Sequence, residues 1–487
     1  MNKQHQERDE HRHTMRSVSL GTLWRACRYP FVVLSAVLIP REMGDSIYGE
    51  YALFMSIYLM LDVVTDVGVT QTFGRFIPEL KKESSQRAAE LLHSMLFYGV
   101  IITLLVVIFG EGGLFLFGDT DYAPAIWLLL CLLLVVTKVE GSLFAFIYGS
   151  NEIGRYSSKE LIRSAATFIL VLAGFLLFGL SGALWALLAS ELMLLAAALF
   201  WTRSKLITKP KIMSPQHFLP YMIFGAKFYL PMLVFSFLQR SGNIFINKIT
   251  CSTEQVAYFD LANQYLLLTA TFLGMIFTTL LPSMTSLYIR KEHDKIVEWN
   301  SRVMTYCGII VVLTVNALVL IGKDVLSLCL GSDFVQVYPN AVVISLALPF
   351  ILIGYAGTNF ALLEKRTHAY LTGVLLGLAS MADACMLLVP EMGALGASWA
   401  SVVGYSVLAL VFVIRYMREF RQMLVGLGKA LLIGAVCVPF WFVRSNLIMS
   451  GLIMLLSTAI YAGLVLKSGI VSPAEVRKLL ENIKSKD

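Results

Sequence analysis

Ten charged side chains fall inside runs that are otherwise apolar, and these are the residues with chemistry to offer: Arg25, Arg28, Lys138, Lys227 and Arg240 as cations, and Asp62, Glu140, Glu191, Asp260 and Asp383 as acids. A charge at the middle of a membrane crossing costs on the order of 2.5–3.5 kcal/mol on insertion scales. All of them facing lipid would cost roughly 25–35 kcal/mol, several times the stability of an ordinary domain. They must therefore face one another or a watery cavity.

Their spacing narrows the chemistry. Gly21, Arg25, Arg28, Val32 and Ser35 recur at helical intervals, so two guanidinium groups share one face with small or polar neighbours. Side by side they repel unless an anion sits between them, and the planar fork of Arg suits phosphate oxygens; the alternative is that both snorkel to the inner headgroups. Tyr51, Met55, Tyr58, Asp62 and Thr65 form a second stripe, with Asp66 beside it. Asp62 is either the partner of an arginine or a titratable coupling site. Lys138 and Glu140 lie about 200° apart around one helix, so they cannot both face one cavity. Glu191, among Leu and Ala, is either a proton site or a neutral, hydrogen-bonded structural acid. Asp260, Asn263 and Gln264 make a polar face that could meet sugar hydroxyls or tie helices together.

The elements that must position these residues are membrane crossings. Apolar residues are 57% of the 487-residue chain, and a crossing consumes roughly 20, which leaves room for about fourteen. Charged residues are 15%, against about 25% in soluble domains, and a water-soluble enzyme is excluded. Hydropathy places crossings at 18–39, 47–66, 90–112, 124–148, 160–179, 182–201, 218–247, 255–277, 302–322, 338–361, 369–389, 394–415, 428–444 and 447–466. The seventh is overlong and interrupted by Pro220 and Pro231, with Gly225 nearby, as in the bent helices of transporters.

With the amino terminus inside, thirty of the 39 Lys and Arg fall in cytoplasmic segments and four, Arg41, Lys248, Lys323 and Arg444, outside. This bias places both termini in the cytoplasm and explains the net charge of +7 without nucleic acid. The segments near 67–89 and 202–217 read as amphipathic surface helices with basic flanks. The polar first 17 residues, with no small-residue cleavage site after the first apolar run, predict that no signal peptide is removed. His11-Arg12-His13 lacks a third ligand, and the seven cysteines form no Cys-x-x-Cys pair, so neither a metal site nor a disulfide framework is expected.

Tyr51, Tyr58, Leu59 and Leu61 match Tyr258, Tyr265, Leu266 and Leu268 at a constant offset, and Pro78 and Pro282 follow. The offset equals six crossings, which keeps both copies in one orientation and predicts parallel repeats. The expected fold is an all-α polytopic membrane protein. Its domains would be an N-terminal lobe at 1–217, a C-terminal lobe at 218–425, two appended crossings at 426–467 and a cytoplasmic tail at 468–487.

The run Tyr48-Gly49-Glu50-Tyr51-Ala52-Leu53, then Asp66-Val67-Gly68 and Arg75-Phe76-Ile77-Pro78-Glu79, resembles the second-crossing signature of bacterial polysaccharide flippases; Val256-Ala257-Tyr258 through Leu281-Pro282-Ser283 is similar to its counterpart in the second half. The resemblance implies a bacterial inner-membrane protein of two six-helix lobes plus two helices. It would move an undecaprenyl-pyrophosphate-linked oligosaccharide to the outer leaflet by alternating access, with no cofactor beyond H+ or Na+ coupling. Membrane lipid, the lipid-linked glycan and polysaccharide-assembly proteins would be its partners. Arg25 and Arg28, with Lys138, Lys227 and Arg240, would bind the anionic headgroup; Tyr58, Asp62, Glu140, Glu191, Asp260 and Asn263 would line the cavity or couple transport. Many members of that family carry an acid late in the seventh crossing, where this chain reads Ser241-Gly242-Asn243.

No Gly-x-x-x-x-Gly-Lys-Ser/Thr loop is present, so energy would come from an ion gradient rather than from ATP. A multidrug extruder of the same fold is the rival for which embedded acids should dominate. A membrane polysaccharide polymerase or ligase is the other, and the short outside segments argue against it.

Overall fold

The computed structural model describes residue 24 and residues 27–115, 124–206, 211–364, 367–443 and 446–469. Helices account for nearly all of them, because a long apolar segment in lipid can satisfy its backbone only within itself or in a closed barrel. Ten helices are long and apolar enough to cross a membrane, or twelve if each of two bent pairs is one span. Two of the ten, Tyr29–Lys81 and Ile153–Arg203, run for 53 and 51 residues. At 1.5 Å per residue each far exceeds a hydrocarbon core of about 30 Å. Each is long enough, across its internal break, for two crossings, so the ten to twelve candidate spans are roughly consistent with the fourteen that hydropathy predicts.

The first unit comprises residues 1–257. Helix α1 (Tyr29–Asp66) breaks at Gly44 (φ 74°, ψ 169°), a conformation open to glycine and costly for other residues. Val67 and Gly68, both left-handed (φ 49° and 75°), then lead into α2 (Val69–Glu83). Next come α3 (Ser85–Phe115), α4 (Pro124–Gly149) and α5 (Ile153–Leu206). Helix α5 breaks at Gly179 (φ 66°, ψ −152°). Its two arms meet backbone to backbone there, since a Cβ on Gly174 would lie 2.5 Å from the Gly182 carbonyl oxygen.

Helix α6 (Pro215–Thr250) bends by 47° between Pro215–Lys227 and Tyr229–Thr250. Pro231 is the cause: it has no N–H for the carbonyl of Lys227 and its ring clashes with that group. The division at 257/258 differs from the sequence boundary at 217/218 because α6 is tied to the first unit. Asn243 Nδ2 donates to Ser56 Oγ at 2.7 Å and Thr72 Oγ1 to the Tyr221 carbonyl at 3.2 Å. A Cβ on Gly68 would overlap the carbonyl of Gly225.

Helix α2 corrects the surface-helix reading of 67–89. Val69, Phe73, Ile77 and Leu80 do form an amphipathic stripe, but the stripe is buried against Leu91, Leu92, Phe144 and Ile147, in a protein core rather than on lipid. Its outer face carries the exposed Arg75–Glu79 pair.

The second unit, residues 258–487, takes over within α7 (Thr253–Ile289). It continues through α8 (His293–Leu330), α9 (Val337–Ser345), α10 (Leu348–Leu363), α11 (Thr367–Met392), α12 (Ala394–Arg415), α13 (Met417–Gly434), the single turn α14 (Val438–Trp441) and α15 (Leu447–Lys467). The segments Ser332–Ser345 and Leu348–Leu363 meet at 45°, where Pro349 leaves the Ser345 carbonyl without its helical donor. Large apolar side chains such as Leu177, Phe178, Leu387 and Leu432 stand exposed on helix exteriors, as contact with lipid requires and water does not favour.

Candidate functional site

The charges of the first unit converge between α1, α4 and the two arms of α5. Lys159 and Arg163 are one turn apart and so share a face of α5. Opposite them Glu140, fully buried on α4, accepts through Oε1 from Lys159 Nζ at 3.2 Å and from Arg163 Nη2. The same Nη2 donates at 2.9 Å to Oε2 of Glu191, which the returning arm of α5 carries. One guanidinium thus binds two buried carboxylates from different helices. Removing it would leave Glu191 without this cation and Glu140 with Lys159 alone, and losing one partner is what makes a buried ion pair costly to break.

Lys138, two residues before Glu140, points elsewhere. Its Nζ donates to the carbonyls of Thr65 at 2.5 Å and Asp66 at 3.0 Å, the last of α1. Tyr58, one turn before Asp62, hydrogen-bonds Thr137 at 2.7 Å in a buried contact. A cavity of about 120 Å³ collects Asp62, Asp66, Thr137, Lys138, Lys159 and Arg163 on its wall. Ligand pockets run to roughly 300–1,000 Å³, so this space suits an ion or a few waters and cannot enclose a glycan.

The other sequence-predicted residues are dispersed. Arg25 lies outside the described residues. Arg28 is half-buried, and its Nη1 donates to Glu160 Oε2 at 2.6 Å. Lys227 is exposed on α6 and Arg240 half-buried on the same helix. In the second unit Asp260 Oδ2 accepts from Gln264 at 2.8 Å, Asn263 is buried on α7 and Asp383 is exposed on α11. A larger cavity of about 600 Å³ lies in that unit among Lys291, Asp294, Glu364, Arg418 and Glu419. Its wall mixes the cations Lys291 and Arg418 with the acids Asp294, Glu364 and Glu419 rather than gathering cations for an anionic headgroup.

Sequence reasoning named the hub's acids, Glu140 and Glu191, but missed the cations that hold them. Hydropathy leaves Lys159, Glu160 and Arg163 at the basic edge of the fifth crossing, where the positive-inside rule already accounts for cations. The available signal was the one-turn Lys159/Arg163 spacing at the threshold of an apolar run that also contains Glu191.

The described residues thus form a helical, multi-pass membrane protein in two units, with charges gathered inside one of them. Its fold is similar to that of the lipid II flippase MurJ in an inward closed conformation, at 14% identity and a TM-score of 0.67, over 92% of this chain and 100% of that one. It is also similar to an inward-facing multidrug resistance MATE family transporter of the MOP superfamily (15% identity, TM-score 0.60, 84% and 98% covered). The Vibrio cholerae MATE transporter VcmN in its bent form matches at 16% identity, TM-score 0.52, over 84% and 99%. Comparison with curated protein sequences gives no match. The family described as polysaccharide biosynthesis protein matches residues 16–288, and the chain belongs to that family.

Proposed function

We propose that this protein is a flippase that carries a polyprenyl-diphosphate-linked oligosaccharide, with undecaprenyl as the lipid, from the inner to the outer leaflet of a bacterial cytoplasmic membrane. The observation that carries the reading is the family match, which spans the same first unit that holds the buried charges. A diphosphate bearing sugars is too polar to enter lipid unaided, whereas its polyprenyl tail can stay there, so the protein need shelter only the headgroup. The glycine breaks in α1 and α5 and the proline bend in α6 supply joints for alternating access. Both termini lie in the cytoplasm on this reading, and an ion gradient supplies the energy.

Arg28 is the described cation best placed to exchange partners. Its pair with Glu160 is partly exposed, 25% and 41% for the two side chains, and such pairs are worth about 1 kcal/mol or less. A diphosphate can displace Glu160, with Arg25 three residues away in sequence. Lys138 is committed to α1 and Arg163 to two carboxylates, so both shape the interior rather than load substrate.

Deletion of the gene should stop export of the polysaccharide and pile up its lipid-linked precursor on the cytoplasmic face. Arg25→Ala and Arg28→Ala should reproduce this at normal protein levels, and full export from the deletion strain would overturn the reading. A drug extruder is the second reading, favoured by the excess of acids in the cluster, where Asp62, Asp66, Glu140, Glu160 and Glu191 face Arg28, Lys138, Lys159 and Arg163. Increased drug susceptibility of the deletion strain with unchanged precursor levels would favour it.

A further inference from the structure

The end of α1 is built like a cation site. The last carbonyls of a helix lack intrahelical donors and carry the negative end of its dipole. Here Val67 and Gly68 turn the chain away in left-handed conformations, and for a β-branched residue such as Val67 that conformation is strained. The carbonyls of Thr65 and Asp66 converge on a single point, which Lys138 Nζ occupies at 2.5 and 3.0 Å. Asp62, Asp66, Thr70, Thr137 and Ser142 line the adjoining cavity. Carbonyls, hydroxyls and carboxylates are what hard cations select, and helix C-terminal ends are where transporters coordinate Na+; Lys159 and Arg163 on the same wall are held instead by Glu140 and Glu191.

The lysine is fitted to this place. Its stem passes Gly99 on α3, where an added Cβ would come within 2.8 Å of Lys138 Cε. The side chain is 6% exposed, and its head uses two of three N–H donors on the carbonyls, leaving one for the cavity side.

We infer that the Lys138 ammonium is a tethered cation filling a monovalent-cation site at the C-terminal end of α1, so that deleting the side chain opens that site to free Na+ or K+. The first unit then needs no soluble metal cation at this place. A transport cycle that draws on an ion gradient must take its ion elsewhere. That consequence rests on the flippase reading, but the site itself does not. The experiment reads ion binding alone, so it fails or succeeds separately from any export assay.

Thermal unfolding of the purified full chain in lipid nanodiscs would be compared in NaCl, KCl and choline chloride at equal ionic strength, for the wild type, Lys138→Ala, Lys138→Ser and Lys138→Arg. The wild type and Lys138→Arg should melt alike in all three salts. Lys138→Ala and Lys138→Ser should melt several degrees lower in choline chloride and recover saturably with NaCl or KCl, as mass action requires of a ligand bound only by the folded state. An equal loss in all three salts would reduce Lys138 to a helix cap and overturn the inference. A wild type stabilised by Na+ as strongly as Lys138→Ala would overturn it too, because the site would not be filled. So would failure of both small variants to fold when produced and extracted in high NaCl, since a vacated site should then be reoccupied.

Discussion

The two units bury their polar groups by different means. Among the described residues, the buried charged side chains are Lys138, Glu140 and Glu191, all in the first unit. The second unit buries neutral amides and hydroxyls instead. Asn316 donates to Ser457 Oγ at 2.9 Å and accepts from Trp441 Nε1 at 3.0 Å, while Ser398 Oγ donates to Asn340 Oδ1 at 3.1 Å. Neutral amide bonds hold helices together without a field and change little when an ion or anion approaches. Buried charges respond to every such approach. On the flippase reading proposed above, the charge-sensitive steps would fall to the first unit, whose buried charges the described residues of the second lack.

Breaking the charged hub should give the largest effect. Arg163→Ala takes the guanidinium from Glu191 and leaves Glu140 only Lys159, and removal of one partner from a buried pair costs about 3–5 kcal/mol. Little folded protein should survive detergent extraction, as size-exclusion profiles would report. Adding Glu140→Gln and Glu191→Gln to Arg163→Met should restore folding by removing the stranded charges. If the hub acts in transport, that triple variant will fold and still fail to export; export at the wild-type rate would make the hub purely structural.

Backbone contact comes next. Gly225→Ala places a Cβ 2.8 Å from the carbonyl oxygens of both Val67 and Gly68, and overpacking of this kind costs about 1–3 kcal/mol. A lower melting temperature and reduced export are expected together, because the contact sits at the turn between α1 and α2, beside Lys138. Gly428→Ala in the second unit meets nothing within 4 Å and should be neutral, or stabilise α13 by up to about 1 kcal/mol. In that unit Asn316→Ala removes two buried neutral hydrogen bonds for roughly 2 kcal/mol. It should lower the melting temperature with export retained, and loss of export at full protein level would contradict the division of labour.

Part of this contrast is legible in the sequence. The absence of embedded charge from crossings nine, ten and twelve to fourteen already separates the halves, and fourteen crossings follow from apolar runs because lipid imposes one length on every helix. Partners are not legible. The 200° between Lys138 and Glu140 shows that they point apart, but not that one would find the end of α1 and the other Arg163. Arg163 itself hides at a crossing boundary, where a cation is the ordinary finding. The stripe of α2 has a period that suits a bilayer surface and a protein core equally, so only tertiary packing decides between them.

The smallest expected effect tests whether burial, rather than charge as such, separates the units. Arg75–Glu79 in the first unit and Glu298–Arg302 in the second match in spacing, length and exposure though not in order along the helix: both are one-turn pairs at 2.7 Å, with side chains 57% and 51% exposed in one and 56% and 49% in the other. Exposed pairs of this kind contribute about 0.3–0.5 kcal/mol, and salt screens them. Arg75→Gln and Arg302→Gln should therefore each shift the melting temperature by a small amount, within about 1 °C of one another and slightly more for the acid-first pair of Arg302, with both shifts shrinking in high salt. If charge anywhere in the first unit mattered more than in the second, Arg75→Gln alone would impair export. Equal and negligible effects would confine the asymmetry to the interior, where Arg163 and Lys138 hold their partners away from water.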